Sequence, residues 1–369
     1  MREILEARLV KRLLFFFPLF LYACELPQPS ATPPALSPEQ LVERGHDLQA
    51  KAVLTPMVEA DPSDAAAVLL LSKTLFGLGD LDGALKYAER AVAIAPDSAA
   101  AHVQLGDVLG RVAEKAPIFK QLSLARRAKK ELDAGIALDP RNIDGLMGVM
   151  MYDFSAPSFL GGDKAKARGV AGRIAAIDPV YGWLAQAALS RERKDAAAEL
   201  DFNRRAVAED PASFDAQVAL AQFYVDHNPD YAGLEDSACK ILQIDPARPE
   251  GWRYLAEVRV SGFCWTELAQ LLETAAQFNS DDLSPFYAAA AAMIRQGERL
   301  PVARDYLEKY LSQPSDGSAP SHAMAHWQLA TLLEKEQLPD EAIAELESAL
   351  AEDPGLQEAK KDLKRLRGN

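Results

Sequence analysis

A proline-containing stop signal recurs along this chain at intervals close to 34 residues, or to 34 residues plus an insertion. Between successive prolines, two stretches carry apolar residues at the three-and-four spacing of amphipathic helices. A period of this length predicts an array of helix–turn–helix units, because proline ends one helix and sets the turn to the next. Six of the eight prolines follow an Asp; the eight are Pro62, Pro96, Pro140, Pro179, Pro211, Pro246, Pro314 and Pro354.

The final unit places small and large residues at fixed positions on two successive helices. These positions are His326, Leu329, Ala330 and Leu333 on the first helix, then Ala342, Leu346, Ala349 and Pro354 on and after the second. The pattern resembles the tetratricopeptide repeat, and the resemblance extends over nearly all of residues 38 to 354. It implies an all-α fold, a right-handed α-α superhelix of about eight to nine units, closed by a C-terminal capping helix.

The sequence predicts where the array begins and is interrupted. The capping-box residues Ser37 to Gln40 predict a helix start, so the array is expected to cover 38–313, with insertions near 112–122 and 155–162. A loop (314–321), the last repeat (322–354) and a capping helix (355–369) follow. The inserted segments FKQLSLARRAK and YDFSAPSFLGGDKAKA resemble a group of exported bacterial tetratricopeptide proteins, and that resemblance implies no particular activity.

The first residues predict export. Residues 11–24, KRLLFFFPLFLYAC, contain two cations and then an apolar run too short to span a bilayer, as in a signal peptide covering residues 1–23. The ending at Cys24 resembles the lipobox of bacterial lipoproteins, which implies that Cys24 carries the lipid and anchors the chain in the cell envelope. Glu25, in place of the Asp that retains such proteins at the inner membrane, favours the periplasmic face of the outer membrane. The proline-rich residues 24–37 are expected to form an extended tether.

Composition bounds the possible partners. Apolar residues make up 49% of the chain and charged residues 25%, which excludes wholesale disorder. The formal net charge is −14, and the one basic cluster of the body, from Arg126 to Lys130, lies within a single expected helix. Nucleic acid is therefore not an expected partner, because a polyanion requires a basic surface to release its counterions.

No catalytic or metal-binding pattern is present in the sequence. His322 and His326 are four residues apart, but two ligands do not complete a zinc site and the general-base Glu of the zinc-protease motif is missing. We therefore expect no enzymatic activity, no cofactor and no metal. Cys239 and Cys264 are expected about 16 Å apart on antiparallel helices, too far for a disulfide, and are interpreted as packing residues.

A binding groove is predicted on the concave side, where the first helix of each unit presents the residues one, five and eight places after its aromatic position. The predicted groove is apolar in its middle and suits an amphipathic peptide. The leading hypothesis is an envelope scaffold for protein partners; alternatives are an accessory ligand-binding component of a small-molecule uptake system, and a chaperone or assembly factor for outer-membrane or exported proteins. The groove residues are Phe76, Met147, Met151, Phe154, Arg253, Tyr287 and Trp327.

The stretch APSFLGGDKAKA, residues 156–167, is the one that most resembles a phosphate-binding loop. It follows an expected helix rather than a strand, and it has no Gly-Lys-Ser/Thr sequence. Pro157, Gly161 and Gly162 favour a lengthened turn inside one repeat, and Asp163 is expected to cap the following helix. The loop is therefore predicted to be a connector at the edge of the groove.

Overall fold

The computed structural model describes residue 24 and residues 26–28, 36–227, 230–314 and 320–368. The predicted signal peptide, most of the predicted tether and part of the predicted loop at 314–321 lie outside these residues. Within them the chain contains helices and turns and no strand.

Nineteen α-helices follow one another in the described part of the chain. Their bounds are α1 Pro38–Glu43, α2 Asp47–Ala60, α3 Ala65–Gly77, α4 Leu81–Ile94, α5 Ala99–Lys115, α6 Ile118–Leu138, α7 Ile143–Ser155, α8 Lys164–Ile177, α9 Pro179–Glu192, α10 Ala196–Glu209, α11 Phe214–Asp226, α12 Tyr231–Ile244, α13 Pro249–Ser261, α14 Trp265–Phe278, α15 Ser284–Gln296, α16 Leu300–Leu311, α17 His322–Lys335, α18 Pro339–Glu352 and α19 Gln357–Leu366.

The helices pack in consecutive antiparallel pairs, from α1 with α2 to α17 with α18, and α19 packs on the last pair. The odd-numbered helices α1 to α17, which we call first helices, also contact the first helix of the next pair along the whole array. They form the inner layer, since the inner side of a curved array is the one where neighbours approach most closely. The all-α solenoid predicted from the repeat pattern is confirmed.

The recurring Asp-Pro pair has a local explanation. After a second helix ends, the Asp carboxylate accepts a hydrogen bond from the backbone N–H two residues further on, and proline prevents the helix from continuing. The oxygen-to-nitrogen distance is 2.9 Å for Asp61 with Ser63, 2.9 Å for Asp210 with Ala212 and 2.7 Å for Asp353 with Gly355. These turns set the direction in which each new first helix leaves.

The aromatic position of the repeat forms a second contact with the same turn. In three units its side chain bonds the carbonyl oxygen of the proline six residues earlier, so each first helix is fixed to the turn that precedes it. This explains why polar side chains occupy a mostly buried position. The pairs are His102 Nε2 with Pro96 O at 3.0 Å, Gln217 Nε2 with Pro211 O at 2.9 Å and Trp252 Nε1 with Pro246 O at 2.9 Å.

The APSFLGGDKAKA segment forms an ordered turn between α7 and α8. Residues Ser158–Leu160 form a short 3₁₀ helix, and Gly161 follows with φ of 92°, a left-handed conformation that glycine adopts without strain. A Cβ on Gly162 would lie 1.7 Å from the carbonyl oxygen of Ala156, so no side chain fits there. Asp163 caps α8 through the N–H groups of Ala165 and Lys166, as predicted.

The N-terminal unit contacts the sixth and seventh units directly. Arg44 Nε lies 2.9 Å from Asp245 Oδ2, and the buried His46 places Nδ1 3.1 Å from Asp281 Oδ1. We call these two pairs the N-terminal clasp. They join the turn after α1 to the turns after α12 and α14. The first unit of the superhelix is therefore in contact with its sixth and seventh units.

Cys24 lies beside the clasp, and its sulfur is bonded to that of Cys239 on α12. The interpretation of Cys239 as a packing residue without a bond is therefore wrong, because it considered only Cys264 as a partner. Cys264 is a half-buried free thiol. One sulfur atom cannot be both in a disulfide and in a lipid thioether, so this disulfide and the predicted lipid attachment at Cys24 exclude one another. Lipid attachment at Cys24 stays a prediction for chains in which this bond has not formed.

Candidate functional site

The inner layer of first helices is the candidate binding surface. Of the residues predicted to line it, Phe76, Met147, Met151 and Arg253 are half-buried. The first three pack at the margins of the hydrophobic core, on α3 and α7. Each of the four retains exposed area on a first helix, as a groove residue requires.

Phe154 at the end of α7 is buried. The ammonium group of Lys164 lies 4.9 Å from the centre of its ring. Phe154 also lines a cleft of about 530 Å³ beside the Gly161–Gly162 turn. The cleft has charged walls formed by Asp153, Lys164 and Glu192. Phe154 therefore lines a small cleft at the end of the repeat and is not exposed on the inner layer.

Tyr287 is buried and is therefore not an open groove residue, whereas Trp327 is half-buried and stays a predicted groove residue. The ring of Tyr287 is buried 5.5 Å from that of Tyr310, and burial raises the pKa of its hydroxyl to about 12. Trp327 Nε1 donates a hydrogen bond of 3.0 Å to Asp362 on the C-terminal helix α19. Tyr287 therefore packs against α16, and Trp327 contacts α19 while retaining exposed area.

A polar network lies on the inner layer in units six to eight. The Tyr254 hydroxyl donates to Gln222 Oε1 at 3.1 Å, and Gln222 Nε2 donates to Asp226 at 2.8 Å. Next to it, Glu257 on α13 pairs with Arg295 on α15 at 2.5 Å. Glu257 is 9% exposed, and burial raises the pKa of its carboxyl against the opposing effect of Arg295. Hydrogen-bonding groups thus line three successive first helices.

A second polar centre lies in units two to four. Asp107 on α5 accepts no hydrogen bond and forms no ion pair among the described residues. Burial, and then the charge of Asp144, raise its carboxyl pKa to about 7, while Lys73 lowers it. A Cβ on Gly148 would approach the Asp107 carboxylate to 3.3 Å, so α7 runs close beside it. Asp107 is half-buried, and a carboxyl in such a position without a cationic partner in the described part of the chain is a candidate contact for a ligand.

These polar residues were not selected as the site from the sequence, although one signal identifies them. Lys73, Asp107, Gln222 and Glu257 all lie five places after the aromatic position of their units. Mainly apolar residues were predicted to line the groove instead, because an apolar groove was expected. Several units carry a polar residue at this register position, although Met151 shares it.

The histidines have structural roles. His102 and His326, at the aromatic positions of their units, place Nδ1 2.7 Å from Glu131 and 2.6 Å from Glu345 on the second helices. The buried ring of His322 packs edge-to-face against Tyr310 at 5.6 Å. Within the described ranges, no group of three or more His, Cys, Asp or Glu side chains is placed to hold a metal ion.

Two segments of the chain match family models of the tetratricopeptide repeat, residues 41–109 and residues 286–356. No curated protein sequence matches the chain significantly. These two segments therefore carry tetratricopeptide repeats, and the described chain as a whole has the fold of an all-α solenoid. In the part of the chain that the structure describes, no helix is long and apolar enough to cross a membrane.

Particular solved structures share this fold at low sequence identity. Yeast Tom70 is 14% identical, with a TM-score of 0.51 over 89% of this chain and 80% of that chain. A monomeric mutant of IFIT1 solved with Gppp-AAAA is 14% identical, with a TM-score of 0.50 over 89% and 70%. A thermophilic tetratricopeptide protein of Thermus thermophilus is 19% identical, with a TM-score of 0.45 over 51% and 95%. Similarity at this level shows the fold alone.

Proposed function

We propose that this protein is a non-catalytic adaptor of the bacterial envelope that binds a protein or peptide segment along its inner layer of first helices. Asp107 is the observation that carries this proposal. Asp107 is half-buried and has no ion pair among the described residues, so a partner that brings a Lys, an Arg or a backbone N–H to it forms a charge-assisted hydrogen bond that the chain itself does not supply. Met147 and Met151, on the neighbouring helix, offer adaptable apolar contact beside it.

The polar network in units six to eight extends the proposed site. Gln222 and Arg295 present amide and guanidinium groups that bond peptide carbonyls and carboxylates. The inner layer thus has polar anchors near both of its ends and apolar residues between them. This arrangement favours a partner segment in extended conformation, with a cation near one end and hydrogen-bond acceptors near the other.

Photo-crosslinking tests the proposal. p-Benzoylphenylalanine in place of Met147 should capture a partner in cells, whereas the same group in place of the exposed Arg204 on α10 should not. Capture at position 147 should weaken on Asp107→Asn, because the replacement removes the charge that recognises the donor. Equal capture at both positions, or capture that Asp107→Asn leaves unchanged, would contradict binding on the inner layer.

Export to the envelope is part of the proposal and is supported by two features. The predicted signal peptide is one, and the Cys24–Cys239 bond is the other, since disulfides persist in oxidising compartments. We propose that Cys24 is lipidated in the exported chain when Cys239 stays reduced. Palmitate labelling that is lost on Cys24→Ser, together with an alkylatable Cys239, is expected. A linked Cys24–Cys239 peptide pair from unlabelled protein would instead refute the lipid anchor and retain the disulfide.

A second candidate function rests on the cleft beside Phe154. Its volume of about 530 Å³ and its apolar base with charged walls suit a small polar molecule, as an accessory to an uptake system requires. Native mass spectrometry of the purified protein tests this candidate. A bound small molecule that is lost on Lys164→Ala would favour it over the adaptor.

A further inference from the structure

Four large apolar side chains are exposed at the tips of the third and fourth units. Ile118 is 80% exposed, Phe119 is 74% exposed and Phe159 is 70% exposed, and Leu122 lies beside the first two. We call these four residues the apolar edge. Ile118, Phe119 and Leu122 belong to the first turns of α6, and Phe159 belongs to the turn between α7 and α8.

The two tips lie next to each other. Both occur where a first helix turns into its second helix, so both lie on one rim of the solenoid in consecutive units. Lys129 on α6 lies 3.9 Å from Asp153 and 5.9 Å from the centre of the Tyr152 ring, both at the end of α7. The end of α7 therefore packs against α6 about two to three turns from Phe119.

The part of the apolar edge that lies on α6 projects beyond the rest of the rim. Helix α6 has 21 residues, whereas the second helices of most units have 14. The added turns extend α6 by about 10 Å at a rise of about 1.5 Å per residue. The neighbouring tip is held in shape by a bond of 2.9 Å from the Tyr152 hydroxyl to the carbonyl oxygen of Leu160. Phe159 is thus presented from an ordered turn.

Positive charge surrounds the apolar edge in a protein of net charge −14. Residues 111–130 contain seven basic and one acidic residue, and residues 156–168 contain three basic and one acidic. Lys115, Lys120, Lys166 and Arg168 are exposed and make no ion pair among the described residues. The two segments that carry the apolar edge therefore have a net positive charge, opposite to that of the molecule as a whole.

We propose that the apolar edge inserts into an anionic phospholipid surface, as a membrane contact separate from the N-terminus. A projection of about 10 Å matches the depth of about 5–10 Å to which interfacial elements insert, and flanking lysines add attraction to anionic headgroups. A convex tip suits lipid, which yields around a wedge, better than a folded protein, which would need a matching cavity. The contact holds the rim at the membrane and leaves the inner layer accessible.

Vesicle flotation tests the proposal on the full chain carrying Cys24→Ser, so that no lipid anchor forms. The edge variant carries Ile118→Ser, Phe119→Ser and Phe159→Ser. We expect the parent to favour phosphatidylglycerol over phosphatidylcholine vesicles and to bind less at high salt. The edge variant should bind phosphatidylglycerol vesicles at least about tenfold more weakly. Equal binding by parent and variant would overturn the proposal.

A matched control uses exposed apolar residues of the same kind of turn elsewhere. Phe263, 56% exposed, and Leu338 follow first helices outside the basic region, so Phe263→Ser with Leu338→Ser should change binding less than about twofold. Circular dichroism verifies that all variants retain their helices. If sedimentation shows instead that the edge variant breaks a dimer of the parent, the edge is a self-association face and the lipid proposal is overturned.

A position-specific label excludes binding through residues 1–23. Phe119→Cys is introduced into a chain whose three native cysteines are replaced by Ser, and an environment-sensitive fluorophore is attached there. On phosphatidylglycerol vesicles its emission should shift to the blue, and spin-labelled lipids should quench it. The same fluorophore at Phe263→Cys should stay in water. A label at position 119 that stays unquenched on vesicle-bound protein would overturn the proposal.

Discussion

Removing the charge of Asp107 should stabilise the protein in a pH-dependent manner. Burial raises the carboxyl pKa from 3.8 to about 7, so between these values the folded chain keeps a proton that the unfolded chain has lost. The unfolding free energy therefore falls as the pH rises through this window, and the full penalty is present above about pH 7. At about 1.4 kcal/mol per pKa unit, the penalty reaches about 4 kcal/mol.

Asp107→Asn should remove that penalty, because the amide is neutral at every pH and resembles the protonated acid in shape. We expect its gain in unfolding free energy to be larger at about pH 8.5 than at about pH 5.5, by about 2 kcal/mol. Urea unfolding followed by circular dichroism at the two pH values measures this difference.

The control for Asp107→Asn is Asp97→Asn, which alters an exposed carboxylate in a turn and should change the unfolding free energy by no more than about 0.5 kcal/mol. Asp144→Asn should reduce the pH dependence in part, since Asp144 is the second cause of the raised pKa of Asp107. A gain on Asp107→Asn that is the same at both pH values would refute the raised pKa of the Asp107 carboxyl.

Three further predictions concern stability and titration. Gly162→Ala should lower the free energy of unfolding by about 1–3 kcal/mol, because its Cβ would collide with the carbonyl oxygen of Ala156. Gly172→Ala, which has open space on α8, should raise the free energy of unfolding by up to about 1 kcal/mol; thermal unfolding measures both. Tyr287→Ala should lower the free energy of unfolding by about 3–5 kcal/mol, as truncation of a large core side chain does. A variant that keeps its stability and loses only binding would contradict the burial of Tyr287. The bond with Glu345 raises the pKa of His326, so it stabilises the fold below pH 6.5 and that contribution is lost as the pH rises through the raised value. Glu345→Gln should lower that pKa in an NMR titration, and an unchanged value would contradict the pairing.

Sequence register located the candidate site only in part. The positions five places after the aromatic position were identified as inner-layer positions, and Asp107 and Gln222 were among them. Their importance depended on burial and on which neighbours supply donors, and neither is encoded in the residue types. Tyr287 shows the converse, because it has the residue type of an exposed anchor and is buried against Tyr310 of α16.

The sequence by itself determined the helices, their pairing and their turns. A period near 34 residues, proline after the second helix and an Asp that bonds the turn are local features, and contacts between consecutive units follow from them. Only the tertiary structure decided the N-terminal clasp and the bond between Cys24 and Cys239. Contacts between the first unit and the sixth and seventh depend on small rotations that accumulate over each interface, and no repeat pattern specifies their sum.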